Sequence, residues 1–225
     1  MLLRQMVLSA IPKGVPIGFV DATSGTGGFG STGTITVSTG DFVLGFSSGK
    51  FPAAISSQTL GGTSSTSSVT DDTSAPSGGA TPGAQSNEYL DVFGHFTITS
   101  GGTLNLTDTG GDSSAAYGLL AADGGDSLSF QNAGSGSISV SSVTTDDLVV
   151  IFEIAESLVS PPTLNAPSGY TSAMTYTYTA GKGGGATGAR VRVSYQTGQS
   201  GTVSHTVTTA GDAANAAAII RIYNA

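Results

Sequence analysis

The sequence contains one strand pattern twice, and this repetition decides the fold. GTITV at residues 33–37 leads into GDFVLGF at residues 40–46, and GSISV at residues 136–140 leads into DDLVVIF at residues 146–152. In each copy an alternation of polar and apolar residues is followed by a short continuous apolar run. Alternation is typical of a strand with one buried face, whereas a continuous apolar run is typical of a strand covered on both faces. The sequence therefore predicts β-strands at corresponding places in two repeats.

Three further pairs of segments follow in the same order. VFGHF at 92–96 matches VRVSY at 191–195, GTLNL at 102–106 matches GTVSH at 201–205, and GDSSAA at 111–116 matches GDAANA at 211–216. Short strands separated by Gly-rich turns indicate sandwiches, and about 100 residues suit one sandwich. We predict an all-β chain of two tandem jelly-roll-like antiparallel β-sandwiches produced by an internal duplication. The first covers residues 17–123, the second covers residues 124–225, and residues 1–16 form an N-terminal arm.

Several local features complete this prediction. Asp precedes both apolar runs, and its carboxylate can accept hydrogen bonds from nearby turn amides. MTYTYT at 174–179 and VRVSY at 191–195 alternate, so their Thr and Arg side chains are expected on a solvent face. Residues 57–87 form a long Gly/Ser/Thr-rich loop, either a binding surface or a solvated insertion. Because each sandwich is small, stability is expected to draw on contact between the copies or with other subunits.

Composition excludes several classes of protein. The 225 residues include no Cys, carry a net charge of −8 and are only 10% charged. A disulfide framework, a thiolate metal site and a cysteine nucleophile are therefore excluded. An acidic chain with only seven Lys and Arg in total is expected to bind nucleic acid poorly, because neutralisation of the phosphates by basic side chains supplies most of the affinity of such proteins. No apolar run reaches the length of a membrane helix, so neither nucleic acid nor membrane is an expected partner.

Candidate catalytic and metal-binding groups are sparse. His95 and His205 do not occupy matching positions in the repeat, and both are predicted to be surface or edge residues of strands. The Gly-rich stretch at residues 183–188 has the letters of a dinucleotide fingerprint, but a strand follows it where a helix is required. Asp108 with Asp112 and Asp123 with Asp126 are weak candidates for Ca²⁺ ligands, and turn formation is favoured for both pairs.

Glutamates are few as well. Residues 88, 153 and 156 are the only ones, and Glu153 is placed just past a buried strand. With no Trp, an aromatic-lined sugar cleft is poorly provided for. The prediction is a protein without catalytic residues, metal or cofactor.

The second copy resembles a pattern common in structural proteins of tailed bacteriophages. PPTLNAPSGYTS at residues 161–172 follows the 146–152 strand, and Tyr170 stands where that pattern usually has Trp. The segments 189–195, 200–203 and 216–223 fill its later strand positions. In the first copy the Gly/Ser/Thr-rich loop replaces the turn. The resemblance implies a β-sandwich module of a virion and brings no catalytic residues.

The resemblance is shared by capsid-decorating proteins and fibres. The short chain without a coiled-coil or collagen-like stalk favours a protein that decorates or cements the capsid exterior and opposes pressure from packaged DNA. Its expected partners are the major capsid protein and its own copies, as a homotrimer, and its expected location is the virion surface. The alternative is a tail or head fibre that binds host surface glycans, and an enzyme such as a depolymerase ranks last. The N-terminal arm is the candidate capsid anchor, through Met1, Leu2, Leu3, Arg4, Met6, Val7, Leu8 and Ile11.

Overall fold

The computed structural model is an all-β protein. It describes residues 15–26, 32–49, 58–61, 89–98, 100–108, 116–133, 136–157, 163–178, 188–206 and 215–225. Within these ranges every regular element is a strand and every strand pairing is antiparallel, which confirms the all-β, antiparallel part of the predicted fold. The strands are β1 (Gly18–Thr26), β2 (Ile35–Val37), β3 (Phe42–Gly49), β4 (Gln58–Gly61), β5 (Tyr89–Thr97), β6 (Gly102–Asp108), β7 (Ala116–Asp123), β8 (Ser127–Ala133), β9 (Ser137–Val143), β10 (Leu148–Ser157), β11 (Thr171–Tyr178), β12 (Gly188–Thr197), β13 (Gly201–Thr206) and β14 (Asn215–Tyr223).

The strands form four sheets, two from each half of the chain. The first half has a large sheet in the order β1-β7-β3-β5 and a small sheet in the order β2-β6-β4. The second half has a large sheet in the order β11-β12-β10-β14-β8 and a small sheet of β9 and β13. In the second large sheet the order β8-β14-β10-β12 corresponds to β1-β7-β3-β5 in the first, and β11 is added beside β12.

Three apolar layers hold the four sheets together. The central core joins the two large sheets, with Phe42, Leu44 and Leu120 from the first half and Val150, Phe152 and Ile220 from the second among its members. A second layer lies between the large and small sheets of the first half, and a third lies between those of the second half. The chain is thus a stack of small, large, large and small sheets.

Contact between the halves is direct and aromatic. The rings of Phe46 and Phe152 meet edge to face with centroids 4.8 Å apart. Phe19 stacks on Tyr195 with centroids 4.3 Å apart. The two large sheets therefore share one hydrophobic core. This is the contact between the halves that was expected because each half is small.

The position of the large sheets explains the apolar runs. In β3, Phe42 and Leu44 enter the central core while Val43 enters the layer of the first half. In β10, Val150 and Phe152 enter the central core while Ile151 enters the layer of the second half. Because both faces of these strands are covered there, the runs 42–46 and 148–152 contain no polar side chain, as the sequence indicated.

The Asp-containing turns before β3 and β10 have the same geometry. The Ser38 amide donates to Asp41 Oδ2 at 2.7 Å, and the Thr144 amide donates to Asp147 Oδ2 at 2.7 Å. Both aspartates are buried. The predicted role of Asp in these turns is confirmed.

Residue-level matching between the large sheets needs one correction. β3 pairs Phe46 with Val92, whereas β10 pairs Phe152 with Val193. The counterpart of Val92 in the sheet is therefore Val193, not Val191 as the sequence comparison suggested. A register shift in the β3–β5 pairing after Leu44 accounts for one of these two positions, and the other is already present before the shift, where Leu44 pairs with His95 and Val150 with Tyr195.

The N-terminal segment and the 57–87 segment are described only in part. The predicted anchor residues lie outside the described residues, and Val15 and Pro16 are exposed and outside any strand. The Ile17 amide donates to Asp146 O at 2.7 Å, so the segment before β1 is attached to the second half. The 57–87 loop begins with β4, and the rest of it lies outside the described residues.

Candidate functional site

Three ionisable side chains meet in the interior of the second half. Glu153 of β10 and Arg192 of β12 are direct cross-strand neighbours, and Arg192 Nη2 forms an ion pair with Glu153 Oε2. His205 of β13 approaches from the small sheet, with its Nε2 2.6 Å from Glu153 Oε1. The side chains are 2%, 3% and 8% exposed for Glu153, Arg192 and His205 respectively. We call these three residues the buried charge cluster.

Strand alternation places the buried charge cluster. Along β10, Val149 and Ile151 face the small sheet of the second half, and Glu153 continues that row. On β13, Val203 faces the same layer and His205 follows it two residues later. The cluster is therefore the polar end of an apolar layer, where β13 covers the large sheet.

Burial sets the protonation states of the cluster. The pKa of Arg192 falls to about 10 because its guanidinium is removed from water, so it remains charged at neutral pH. The pKa of His205 is lowered from 6.5, first by burial and then by the positive charge of Arg192. His205 is therefore neutral at neutral pH, and its Nε2–H donates to the Glu153 carboxylate.

The arrangement joins two sheets rather than presenting a reactive group to solvent. Glu153 is held by Arg192 within its own sheet and by His205 from the covering sheet. Among the described residues, Arg192 Nε and Nη1 and the Ser194 hydroxyl have no hydrogen-bond partner. A buried ion pair with unsatisfied donors contributes little net stability, but it strongly penalises any packing that separates the charges. The cluster thus specifies how β13 is placed on β12 and β10.

Three sequence predictions are wrong at this site. His205 was expected at the surface or edge of a strand, and it lies on β13 with its side chain buried instead of at the surface. Glu153 was placed past its strand, yet it lies within β10. Arg192 was expected in solvent, yet the covering sheet buries it, whereas Thr175 and Thr177 on β11 are exposed as expected. The sequence signal for the cluster was one charged residue inside each of two apolar strands, Glu153 in β10 and Arg192 in β12. Nothing in the sequence indicates that the two residues are neighbours.

The first half does not repeat the buried charge cluster. Glu153 pairs with Arg192 where the first half pairs Ser47 with Asp91. His205 pairs with Ile138 on β9, and the corresponding partner of Ile35 on β2 is the fully buried Leu104. The counterpart of His205 in the sheet is therefore Leu104, not Leu106 as the matching of 102–106 with 201–205 suggested. The cluster therefore belongs to the second half alone.

Two aspartates of the acidic turns have protein partners. Asp147 Oδ2 accepts from Arg221 Nε at 2.6 Å, and Asp126 Oδ1 accepts from the Ala225 amide at 2.8 Å. No group of three His, Cys, Asp or Glu suited to a metal ion occurs among the described residues. Asp112 and the predicted anchor from Met1 to Ile11 lie outside them, as do the side chains of Asp108 and His95.

Comparison with known proteins yields no relative. No protein-family model matches the chain, and no curated protein or solved structure matches it significantly. In the part of the chain that the structure describes, no helix is long and apolar enough to span a membrane.

Proposed function

We propose that this chain is a structural protein of a tailed-bacteriophage particle that decorates the capsid exterior. Each half would be a jelly-roll-like sandwich, and the two would derive from an internal duplication. In support, each half has a large and a small antiparallel sheet, as a jelly roll does, and the orders β8-β14-β10-β12 and β9-β13 correspond to β1-β7-β3-β5 and β2-β6. The partners would be the major capsid protein and further copies of the chain, assembled as a trimer.

The shared central core is the observation that carries this proposal. A decorating protein resists outward pressure only if force applied at one contact reaches the next without bending the molecule. Two sandwiches on a flexible linker would bend, whereas two large sheets packed through Phe46 and Phe152 form one block. Interiors packed in this way have low compressibility and transmit strain.

The described outer faces also suit contact with protein neighbours. Exposed hydroxyl residues line β11 at Thr171, Ser172, Thr175 and Thr177. Only 10% of the chain is charged, so contacts would desolvate few ionised groups. Such a surface suits extensive polar packing against a lattice of neighbours.

The number of copies per particle tests this role. Quantitative mass spectrometry of purified virions would compare this chain with the major capsid protein. A copy number comparable with that of the major capsid protein supports decoration of the lattice. A copy number as small as that of a tail or vertex component would favour the fibre alternative, and absence from the particle would refute the virion proposal.

A truncated chain tests the anchor separately. A chain beginning at Val15 retains the Ile17 contact with Asp146 and should keep the fold. We expect it to fail to co-sediment with undecorated capsids that bind the full chain. Circular dichroism and thermal unfolding of both proteins provide the control for folding, and equal binding by a folded truncated chain would rule out the anchor.

A further inference from the structure

Three side chains on one face of β12 carry hydrogen-bond donors that have no described partner. Val191 and Val193 enter the central core. Because side chains alternate along a strand, Arg190, Arg192 and Ser194 lie on the opposite face, towards the small sheet. Among the described residues, Arg190 Nε, Arg192 Nε and Nη1, and the Ser194 hydroxyl are buried without a hydrogen-bond partner. Such groups are rare in folded proteins, and we call Arg190, Arg192 and Ser194 the donor row.

The charges at the donor row do not balance. Arg192 forms an ion pair with Glu153, whereas Arg190 lies beside Ala155 on β10 and forms no ion pair in the described part of the chain. His205 shares the Glu153 carboxylate but is neutral at neutral pH. Guanidinium groups stay charged at this pH, so two cations share one carboxylate. Charges that are removed from water are normally paired, and one further anion would complete the balance.

The arginine at the other end of the same sheet face is fully matched. Arg221 continues the β14 row of Ala217 and Ile219 that faces the small sheet. Its Nε donates to Asp147 Oδ2 at 2.6 Å, and its guanidinium lies 4.1 Å from the centroid of the Tyr223 ring. One cation there has one carboxylate, whereas the donor row has one cation in excess.

The donor row borders solvent along β11. Its cross-strand neighbours on that strand are Thr177, Thr175 and Ser172, and all three are exposed. Arg190, which lies opposite Thr177, is itself half-buried. An anion from solvent therefore reaches Arg190 first, beside a row of exposed hydroxyls, and the more deeply buried Arg192 follows two residues along the strand.

The chemistry of the donor row suits an oxyanion. A guanidinium presents planar N–H groups that match the oxygens of a carboxylate, phosphate or sulfate, and a hydroxyl can donate to a further oxygen. We propose that the donor row binds a small oxyanion of this class between Arg190 and Arg192, where the anion also accepts from the Ser194 hydroxyl. The anion supplies the missing negative charge and satisfies the buried donors. The inference rests on the donor row and does not depend on the virion role.

Nuclear magnetic resonance of the arginine side chains provides the first test. The chain has four Arg, so their Nε–H signals form a small set that single substitutions assign. The isotope-labelled full chain is titrated separately with sodium acetate, phosphate and sulfate in Tris chloride at constant pH and ionic strength. We expect the Arg190 and Arg192 signals to move along a saturable curve with at least one of these anions, while the Arg221 signal stays in place. The order of the three affinities identifies the oxyanion that the site prefers.

A pair of charge-matched variants provides the second test. Arg190→Gln removes a charged donor group and should weaken the affinity for the preferred anion about 10- to 100-fold. The control is Arg221→Gln, which changes the net charge equally on the same sheet face and should leave the affinity unchanged. Circular dichroism checks that both variants are folded, and the Arg221 signal of the wild-type protein is an internal control that needs no substitution.

Three results would overturn the proposal. The first is a set of Arg190 and Arg192 signals that respond to none of the three anions. The second is a drift of these signals without saturation, and the third is an equal loss of affinity in the two variants. Either of the last two indicates general attraction of anions to positive charge rather than a site.

Discussion

Removal of Arg192 is the sharpest perturbation of the buried charge cluster. In Arg192→Leu, the Glu153 carboxylate stays buried with His205 as its described hydrogen-bond partner. Breaking a buried ion pair by deleting one partner costs about 3–5 kcal/mol, because an uncompensated charge is left behind. We expect a loss of about that size in the free energy of unfolding at neutral pH. Urea unfolding followed by far-UV circular dichroism and tyrosine fluorescence measures it, since the chain has seven Tyr and no Trp.

The pH dependence distinguishes this mechanism from a simple packing defect. In the wild-type protein the pKa of His205 is below its unfolded value of 6.5, so stability is lost as the pH falls below 6.5. The charge of Arg192 is one cause of that lowered pKa, and Arg192→Leu removes it. His205 then takes up a proton more readily and neutralises Glu153. The stability difference between wild type and variant should therefore be largest above pH 6.5 and shrink below it.

A triple variant is the matched control. Glu153→Leu, Arg192→Leu and His205→Leu together replace the cluster by apolar side chains, with Leu at position 205 matching the buried Leu104 of the first half. Replacement of a complete buried ionic group by apolar residues is often neutral or stabilising. We expect the triple variant to be more stable than Arg192→Leu alone. A single-variant loss below about 1 kcal/mol, as for an exposed pair, or a loss independent of pH would refute the reasoning.

Two further predictions concern paired positions. Asp147→Asn should lower stability by about 1.5–3 kcal/mol because it weakens the charged hydrogen bond to Arg221. Burial raises the pKa of Asp41 despite its turn hydrogen bond, so Asp41→Asn should stabilise the protein at neutral pH. This gain in the free energy of unfolding, measured by urea titration, should shrink as the pH falls through the raised pKa, because the wild-type carboxyl then also becomes neutral. Gly125→Ala should lower the free energy of unfolding by about 1–3 kcal/mol more than Gly124→Ala does, as measured by thermal or urea unfolding. Both glycines have positive φ, but only at position 125 would a Cβ lie 2.6 Å from a side chain of the central core, that of Ile222. Equal effects within either pair would contradict these assignments.

Local sequence patterns predicted much of the fold. Continuous apolar runs identified β3 and β10, and the Asp before each run predicted the turn geometry at Asp41 and Asp147. The final strand was also predicted, despite its alanine run. These features were accessible because they depend on which faces of a strand are covered and on hydrogen bonds between residues three positions apart.

The buried charge cluster was not accessible in this way. Alternation along β12 correctly separates Val193 from Arg192, but it cannot say whether the second face meets water or another sheet. That answer depends on β13, which covers Arg192 and brings His205 to Glu153.

The strands of this protein, the starts of its main apolar strands and the closure of two turns before them could be predicted from local patterns. The shared core of the two large sheets, the burial of Glu153, Arg192 and His205 together, and the placement of β4 and β11 in different sheets could not. Local patterns report one strand and its two faces. Sheet order, register and the covering of a face are set by contacts between residues far apart in the chain.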